Sequence, residues 1–302
     1  MCEIVNLLEP TALEADYVSE CARIFSSSVN GDLKLVIKHH WQQLPAPENK
    51  WIVLINLSDE SHGVPIEVLR EDVAVMFQPY YVLDKWDLPL DSPKIRPFPL
   101  GPTRDFNPSP KPIKDRKYDA FFSGNISKTG SRNTFKAHVD DFLNQSDYNM
   151  FINYTDGFNK GISKHEYAQM LSDSKIALCP TGAISKETFR FYEALKSGCI
   201  IICEVLPKLW FYEPLMFCHT KWHSIKEAID FVMSLGDEEM QKISDTNLRL
   251  YKTILSPEPI AKYMLNELNK SMEYINKGYA VEVNPEIARM AKFKAKQLGV
   301  QV

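Results

Sequence analysis

What the sequence lacks narrows its function before any motif is read. No uninterrupted apolar run approaches the about 18 residues of a membrane-spanning helix. Met1-Cys2-Glu3-Ile4 opens the chain with no basic region and no apolar stretch behind it, so neither a secretory signal nor a membrane span is expected. Cysteine is sparse and scattered. Cys2, Cys21, Cys179, Cys199, Cys203 and Cys218 form no Cys-x-x-Cys pair, and a chain this long needs no disulfide framework. Cys179, Cys199 and Cys203 lie in apolar strand-like runs, where a thiol packs as a small hydrophobe. Positive charge is not in excess: a net charge of −4 and a pI near 6.0 give no global field toward nucleic acid. The G-x-x-x-x-G-K phosphate loop is missing, which disfavours ATP hydrolysis. So is a G-x-G-x-x-G turn with an acidic residue about 20 positions on, which disfavours dinucleotide-dependent redox chemistry.

What is present is ordinary globular composition, 44% apolar and 25% charged over 302 residues, enough for two modest domains with a core each. Ile4–Leu8, Leu33–Ile37, Trp51–Leu57 and Val73–Phe77 read as strands, and Thr11–Phe25 and Val64–Arg70 as helices. The WIVLINL run is continuous and bulky, as expected of a strand covered on both faces. Prolines then crowd between Pro79 and Pro112, predicting a linker without regular elements and a boundary near Pro108–Asp115. Beyond it the strands Tyr118–Ser123, Met150–Tyr154, Ile176–Cys179 and Cys199–Cys203 alternate with helices Ser131–Leu143, Ser163–Leu171, Ser185–Lys196 and Ser224–Leu235. Ser131 and Ser224 are expected to cap their helices. From Gly236 the chain is helical. Such alternation implies right-handed crossovers and parallel sheets. The expected division is a Rossmann-like domain over 1–110, a second over 111–275, and a helical tail over 276–302 packing back on the first.

In an open α/β sheet, ligands bind beyond the carboxyl ends of the strands. Three segments there carry chemistry. The first runs Ser123-Gly124-Asn125-Ile126-Ser127-Lys128-Thr129-Gly130-Ser131-Arg132: two glycines permit close backbone approach to an anion, a helix start offers free N–H groups, and Lys128 and Arg132 add charge. A polar surface turn has the same composition. The second, Cys179-Pro180-Thr181-Gly182-Ala183-Ile184-Ser185, is a turn suited to a planar base or a sugar, although turn chemistry alone accounts for it. The third is the helix carrying Lys186, Thr188, Arg190 and Glu193, where Arg190 and Glu193 share a face and Lys186 precedes Arg190 by one turn. An arginine grips phosphate oxygens in a fork and a carboxylate accepts two ribose hydroxyls; a solvated ion pair would show the same spacing.

The apolar strand ending Cys179-Pro-Thr-Gly182, the segment Thr188-Phe-Arg-Phe-Tyr-Glu-Ala-Leu195 and the following Gly198-Cys199 resemble the signature of exostosin-like glycosyltransferases. Phe121-Phe-Ser-Gly124 with Arg132 downstream resembles the donor domain of that family, and the resemblance covers residues 118–206, more faintly 51–65. It implies a GT-B fold: two Rossmann-like α/β domains facing each other across a cleft, with C-terminal helices. It further implies inverting transfer from a nucleoside-diphosphate sugar, a UDP-sugar being favoured, to a glycan or glycoprotein acceptor. By position, Arg190 would meet the diphosphate, Glu193 the nucleotide ribose, and Arg132 a further phosphate oxygen. Gly124, Asn125, Lys128, Thr181, Gly182, Ser185, Lys186 and Thr188 complete the expected donor site. The family often has arginine where Thr181 stands and Val-Pro where Ile200-Ile201 stand. The first departure redistributes phosphate contacts to Lys186 or Lys128. Many members also carry a membrane anchor, so its lack here points to a cytoplasmic enzyme of a microbe or virus-infected cell.

Inverting transfer needs neutralisation of the departing diphosphate, in-line placement of the acceptor and a base for its proton. No Asp-x-Asp triplet supplies a divalent cation, so a metal-independent reaction without cofactor is expected. The base is sought in the loop after WIVLINL, in the order Asp59 or Glu60, then His62; an acidic turn capping the next helix is the plainer reading. His39-His40 is a second candidate pair. Trp51, Trp86, Trp210, Trp222, Tyr80 and Tyr81 are candidate sugar-stacking residues, most of them expected in the core. The alternative function is a non-catalytic carbohydrate- or nucleotide-binding protein of the same fold.

Overall fold

The computed structural model describes residues 2–29, 31–57, 63–80, 82–83, 88–89, 93–127, 130–157, 160–182, 184–279, 281 and 283–298. Its contacts divide into two units, Met1–Pro99 with Ser256–Val302, and Leu100–Leu255.

The first unit is built on β1 (Glu3–Asn6), α1 (Ala15–Ser28), β2 (Leu33–His39), β3 (Trp51–Leu57), β4 (Val73–Gln78), the short antiparallel pair β5 (Val82–Leu83) and β6 (Leu88–Pro89), and β7 (Ile95–Pro97). The main sheet runs β1-β2-β3-β4-β7 with every pairing parallel. Side chains alternate across it. Leu35, Ile37, Val53, Ile55, Val75 and Phe77 join α1 in one core, while Val36, Leu54 and Met76 are equally buried on the other face. Burial on both faces explains why these strands read as unbroken apolar runs.

Three expectations are corrected here. The first helix begins at Ala15, not Thr11, and the 64–70 segment forms only a 3-10 turn over Ile66–Leu69 after Pro65. The proline-rich stretch is not wholly irregular, because Ile95–Pro97 pairs with β4 as an edge strand. A proline is tolerated there, since one side of the strand has no ladder to complete.

The second unit contains β8 (Tyr118–Asn125), α2 (Gly130–Leu143), β9 (Met150–Thr155), α3 (Lys164–Ser172), β10 (Ser174–Cys179), α4 (Phe189–Lys196), β11 (Ile200–Cys203), β12 (Cys218–His219), α5 (Ile225–Ser234) and α6 (Gly236–Leu250). Its parallel sheet is ordered β12-β11-β10-β8-β9. Phe122, Phe135 and Trp222 interlock at ring separations of 4.6 Å within the core that also holds Ile176, Leu178, Ile200 and Ile202. Ser163 closes a reciprocal capping box with Glu166 at the start of α3. Ser224 occupies the cap position of α5, but its side chain makes no capping bond, contrary to expectation.

The chain leaves this unit at Ser256, where α7 (Pro257–Asn276) starts with proline in its first turn. Ile260, Ala261, Met264 and Leu268 form one stripe of α7 and enter the core of the first unit, and the Arg96 and Glu267 side chains pair beside it. This burial, rather than the loop after residue 275, sets the second division of the chain. α8 (Pro285–Leu298) packs on the 66–69 turn, and Lys294 donates to the Val64 carbonyl at 3.1 Å.

Candidate functional site

The strand order of the second unit fixes where a ligand belongs. The chain enters at β8, moves outward to β9, then crosses back to lay β10 against the other side of β8. The connections leaving β8 and β10 therefore diverge, and it is above the carboxyl ends of two such neighbours that open α/β sheets form their ligand crevice.

Arg190, in the first turn of α4, reaches from the β10 side to the end of β8. Its Nη2 donates to the Ser123 carbonyl at 3.1 Å, and the guanidinium lies over the Phe122 ring, 4.8 Å from the centroid. Its Nε is buried and has no hydrogen-bond partner. A guanidinium holds five donors in a fixed fork, so one hydrogen bond among the described residues leaves most of that capacity uncommitted there. Gly124 is essential to this placement. A Cβ there would lie 2.2 Å from Arg190 Nη2 and 3.3 Å from its Cζ. The glycine read from sequence as making room for an anion makes room for the cation that would bind one.

Arg132 bonds to the backbone on both sides. Its Nε donates to the Thr181 carbonyl at 3.0 Å and its Nη1 to the Asn125 carbonyl at 2.8 Å, stapling together the segments that follow β10 and β8. Asn125 Oδ1 accepts from the backbone N–H and the hydroxyl of Ser127, at 2.8 and 2.6 Å, folding the β8 exit into a tight turn. On the β10 side, Thr181 N–H donates to Glu204 Oε2 at 3.0 Å and Gly182 N–H to the Ser185 carbonyl at 2.8 Å. Ser185 Oγ in turn accepts from Glu187 N–H at 3.2 Å.

The helix expected over Ser185–Lys196 begins only at Phe189. Thr188 is its cap residue, with extended backbone (φ −144°) and no side-chain capping bond. Lys186 therefore does not stand one helical turn before Arg190. Glu187 overrides the local helix preference: its buried carboxylate accepts from Tyr212 Oη at 2.8 Å, and Tyr212 Oη lies 2.6 Å from Tyr192 Oη. Burial, then the neighbouring Glu187 and Tyr192, push the Tyr212 hydroxyl well above its ordinary range, so it stays a donor. Phe191 and Tyr192 fill the core beneath α4.

Glu193 is 5% exposed and accepts from the Thr103 and Tyr167 hydroxyls. Arg190 and Glu193 form no ion pair with each other among the described residues. Burial, then the charge of Glu193, raises the Tyr167 hydroxyl well above its usual value, against the opposing pull of Arg190. Thr103 and Tyr167 have no motif around them, and only the fold reveals their part.

Asp59, Glu60, His62 and Lys128 lie outside the described residues. The segment that follows 58–62 is anchored. Gln78 Nε2 donates to the Gly63 carbonyl at 3.4 Å, and Asn56 Nδ2 donates to Gln78 Oε1 at 3.1 Å. Among the aromatic candidates, Trp222 is core, Trp51 packs against the first core, and Trp86 and Tyr81 are not among the described residues. Burial pushes the thiols of Cys179, Cys199 and Cys203 up, that of Cys199 to about 11, so they serve as packing groups. No group of His, Cys, Asp and Glu among the described residues is placed to hold a metal ion. No helix among them is long and apolar enough to cross a membrane.

Residues 103–208 match the family model of the RXYLT1 C-terminal domain, a stretch running from Thr103 to just beyond β11 and enclosing the whole β8–β10 crevice. The matched stretch contains the residues that resemble the exostosin-like signature. No curated protein matches the chain in sequence. Among solved structures, a glycosyltransferase from Rickettsia africae ESF-5 aligns with a TM-score of 0.49 at 11% identity, over 89% of this chain and 84% of that one. An alpha1,3-fucosyltransferase with GDP aligns with a TM-score of 0.47 at 14% identity, over 94% of each chain. A chain of the GtfA/B complex gives 0.47 at 11% identity over 85% of this chain, which spans only 61% of that one. Two α/β units with parallel sheets, and C-terminal helices, are the composition expected of the GT-B fold.

Proposed function

We propose that the protein transfers a sugar from a nucleoside-diphosphate sugar, a UDP-sugar before a GDP-sugar, to a hydroxyl of a glycan or glycoprotein, with inversion and without a metal ion. The observation that carries this reading is the placement of Arg190 beside the carboxyl ends of β8 and β10, with one hydrogen bond to protein and its Nε unpartnered. A diphosphate there would complete the fork, and the same contact would strengthen as charge grows on the leaving group. Glu193, oriented by Thr103 and Tyr167, is the proposed acceptor for the ribose hydroxyls. Arg132 acts in this scheme by fixing the two walls of the crevice to each other. The acceptor proton goes to Asp59 or Glu60, with His62 next, as the sequence order of these acceptors proposes.

A thermal-shift panel of UDP- and GDP-sugars, run on wild type and Arg190→Ala, tests the reading. One nucleotide class is expected to raise the wild-type midpoint by several degrees at saturating concentration, and the variant is expected to lose that shift. Stabilisation of both proteins alike would remove Arg190 from the site. Donor binding without sugar transfer to any acceptor would favour a non-catalytic nucleotide-binding protein.

A further inference from the structure

The first unit presents an aromatic group that the donor chemistry leaves unused. β2 ends at His39, and the chain turns through His40, Trp41 and Gln42 beside the carboxyl ends of β1 and β3. Trp41 is 63% exposed. The turn beneath it is tightly tied. His40 N–H donates to the Leu57 carbonyl and Gln42 N–H to the His39 carbonyl, both at 3.0 Å. The Gln42 side chain accepts from His39 N–H at 2.8 Å and donates to the Leu7 carbonyl at 2.5 Å. The His39 imidazole lies flat against the indole, with centroids 4.2 Å apart and planes within 9°, and His40 meets it edge-on at 4.6 Å. An exposed indole on a mobile tip is ordinary surface; one mounted on a second ring and a four-bond turn is preorganised.

The surroundings specify the class of ligand. The cation nearest in sequence, Lys38, is fully buried, pairs with Glu67 at 2.8 Å and donates to the His39 carbonyl at 3.1 Å. Burial holds the His39 imidazole below its ordinary pKa, with Glu9 opposing and Lys38 assisting, so the ring under the indole is neutral near pH 7. With Lys38 turned inward and Glu9 acting on the same ring, this end of β2 is poorly suited to a phosphate-bearing ligand. A flat apolar surface in a near-neutral setting suits the C–H face of a pyranose, whose hydroxyls remain in water.

We propose that Trp41, backed by His39, is a stacking platform for a pyranose ring of the acceptor glycan and a specificity determinant of the transfer. This rests on the transferase reading above, and the experiment separates the two. The full-length wild type, Trp41→Ala and Trp41→Phe are titrated with a panel of neutral hexo- and pento-oligosaccharides, with uridine and guanosine, and with the UDP- and GDP-sugars. Wild type is expected to bind at least one oligosaccharide, Trp41→Ala more than tenfold more weakly, and Trp41→Phe in between, with nucleotide-sugar shifts equal in all three. In turnover, Trp41→Ala raises the acceptor KM and leaves the donor KM unchanged. Equal oligosaccharide affinity in wild type and Trp41→Ala overturns the platform, as does the absence of any saccharide binding. Trp41-dependent binding of a free nucleoside would make the partner a base and overturn it too. If no nucleotide sugar stabilises wild type while Trp41-dependent saccharide binding persists, the transferase reading fails and the platform stands.

Discussion

The two sheets are both parallel and five-stranded, yet they differ in one topological step. The first is laid down in chain order, β1-β2-β3-β4-β7, each strand on the same side of the last. The second starts in its interior at β8 and grows both ways. Only the second has neighbours whose exits part, and among the described residues it is there that a half-buried arginine keeps a buried, unpartnered donor, Arg190 Nε. At the carboxyl edge of the first sheet the Lys38 ammonium is paired with Glu67 and Asn56 Nδ2 donates to Gln78, and the atom left without a partner there is an acceptor, Asn56 Oδ1. The second unit also contains its own control. Arg116, buried where β8 and β10 begin, donates to the carbonyls of Lys111, Ser174 and Ser197 at 2.9, 2.8 and 3.1 Å. Two arginines in one unit thus differ: one donates to three backbone carbonyls at the start of the strands, and the other, beside their ends, donates to the Ser123 carbonyl and keeps its Nε without a partner.

Substitutions at glycine put this contrast under the greatest strain. Gly124→Ala inserts a methyl where the Arg190 guanidinium lies. It is expected to weaken nucleotide binding about 30-fold, roughly 2 kcal/mol for a displaced charged donor, and to cost about 1 kcal/mol of stability because Gly124 has φ +158°. Gly198→Ala should spare binding. Gly198 has φ +66°, and its Cβ would meet Ser244 Oγ at 2.9 Å and Arg116 Nη2 at 3.1 Å. About 1–3 kcal/mol of stability is expected to go while affinity holds. Calorimetric titration alongside urea denaturation reads both, and unchanged binding by Gly124→Ala would contradict the role given to Arg190.

Tyr212→Phe tests a mixed case, a structural bond that shapes the site. Removing its hydroxyl takes a donor from the buried Glu187 carboxylate, an expected loss of about 1–2 kcal/mol. Because Glu187 holds the segment before α4 extended, donor KM is expected to rise by up to tenfold with kcat less affected. A stability loss with wild-type donor KM would mean that the 181–188 segment keeps its shape without this bond.

The smallest effect belongs to the first unit. Lys94 is buried and donates to the Arg70 carbonyl, and burial lowers its pKa from 10.5 to about 8, against the pull of Asp72 and Glu71. Between those values the unfolded chain holds the proton more tightly, so stability increases as pH rises through the folded value. Between pH 7 and pH 9 the gain is about 1 kcal/mol. Lys94→Met should abolish that increment, as comparison of denaturation midpoints at the two pH values will report. An unchanged pH slope in the variant would show that Lys94 does not titrate in this range.

Strand positions were legible because a strand covered on both faces needs an unbroken apolar run. Trp51–Leu57 was read with the same bounds that the structure gives. The switch between β8 and β10 was not legible, since strand order is a property of the crossover and leaves no local trace. The start of α4 was misread because Lys186 and Glu187 favour helix, while the Tyr212 hydroxyl that holds Glu187 comes from 25 residues further on. Pairing of Ile95–Pro97 with β4 was hidden behind its prolines for a similar reason: only the neighbour reveals that the position is an edge. Arg190 and Glu193 were singled out from their spacing, whereas the residues they contact, Phe122, Thr103 and Tyr167, were not. Trp41 adjoins the His39-His40 pair that attracted notice for a different chemistry.

The return of α7 to the first unit has a consequence for synthesis. Residues 100–255 form an uninterrupted block that can fold as soon as it clears the ribosome. The first sheet must wait with one face incompletely covered until Ile260, Met264 and Leu268 emerge. The half made earliest is therefore finished last, and a chaperone that engages nascent chains would be expected to find its client surface on Leu35, Val53 and Phe77.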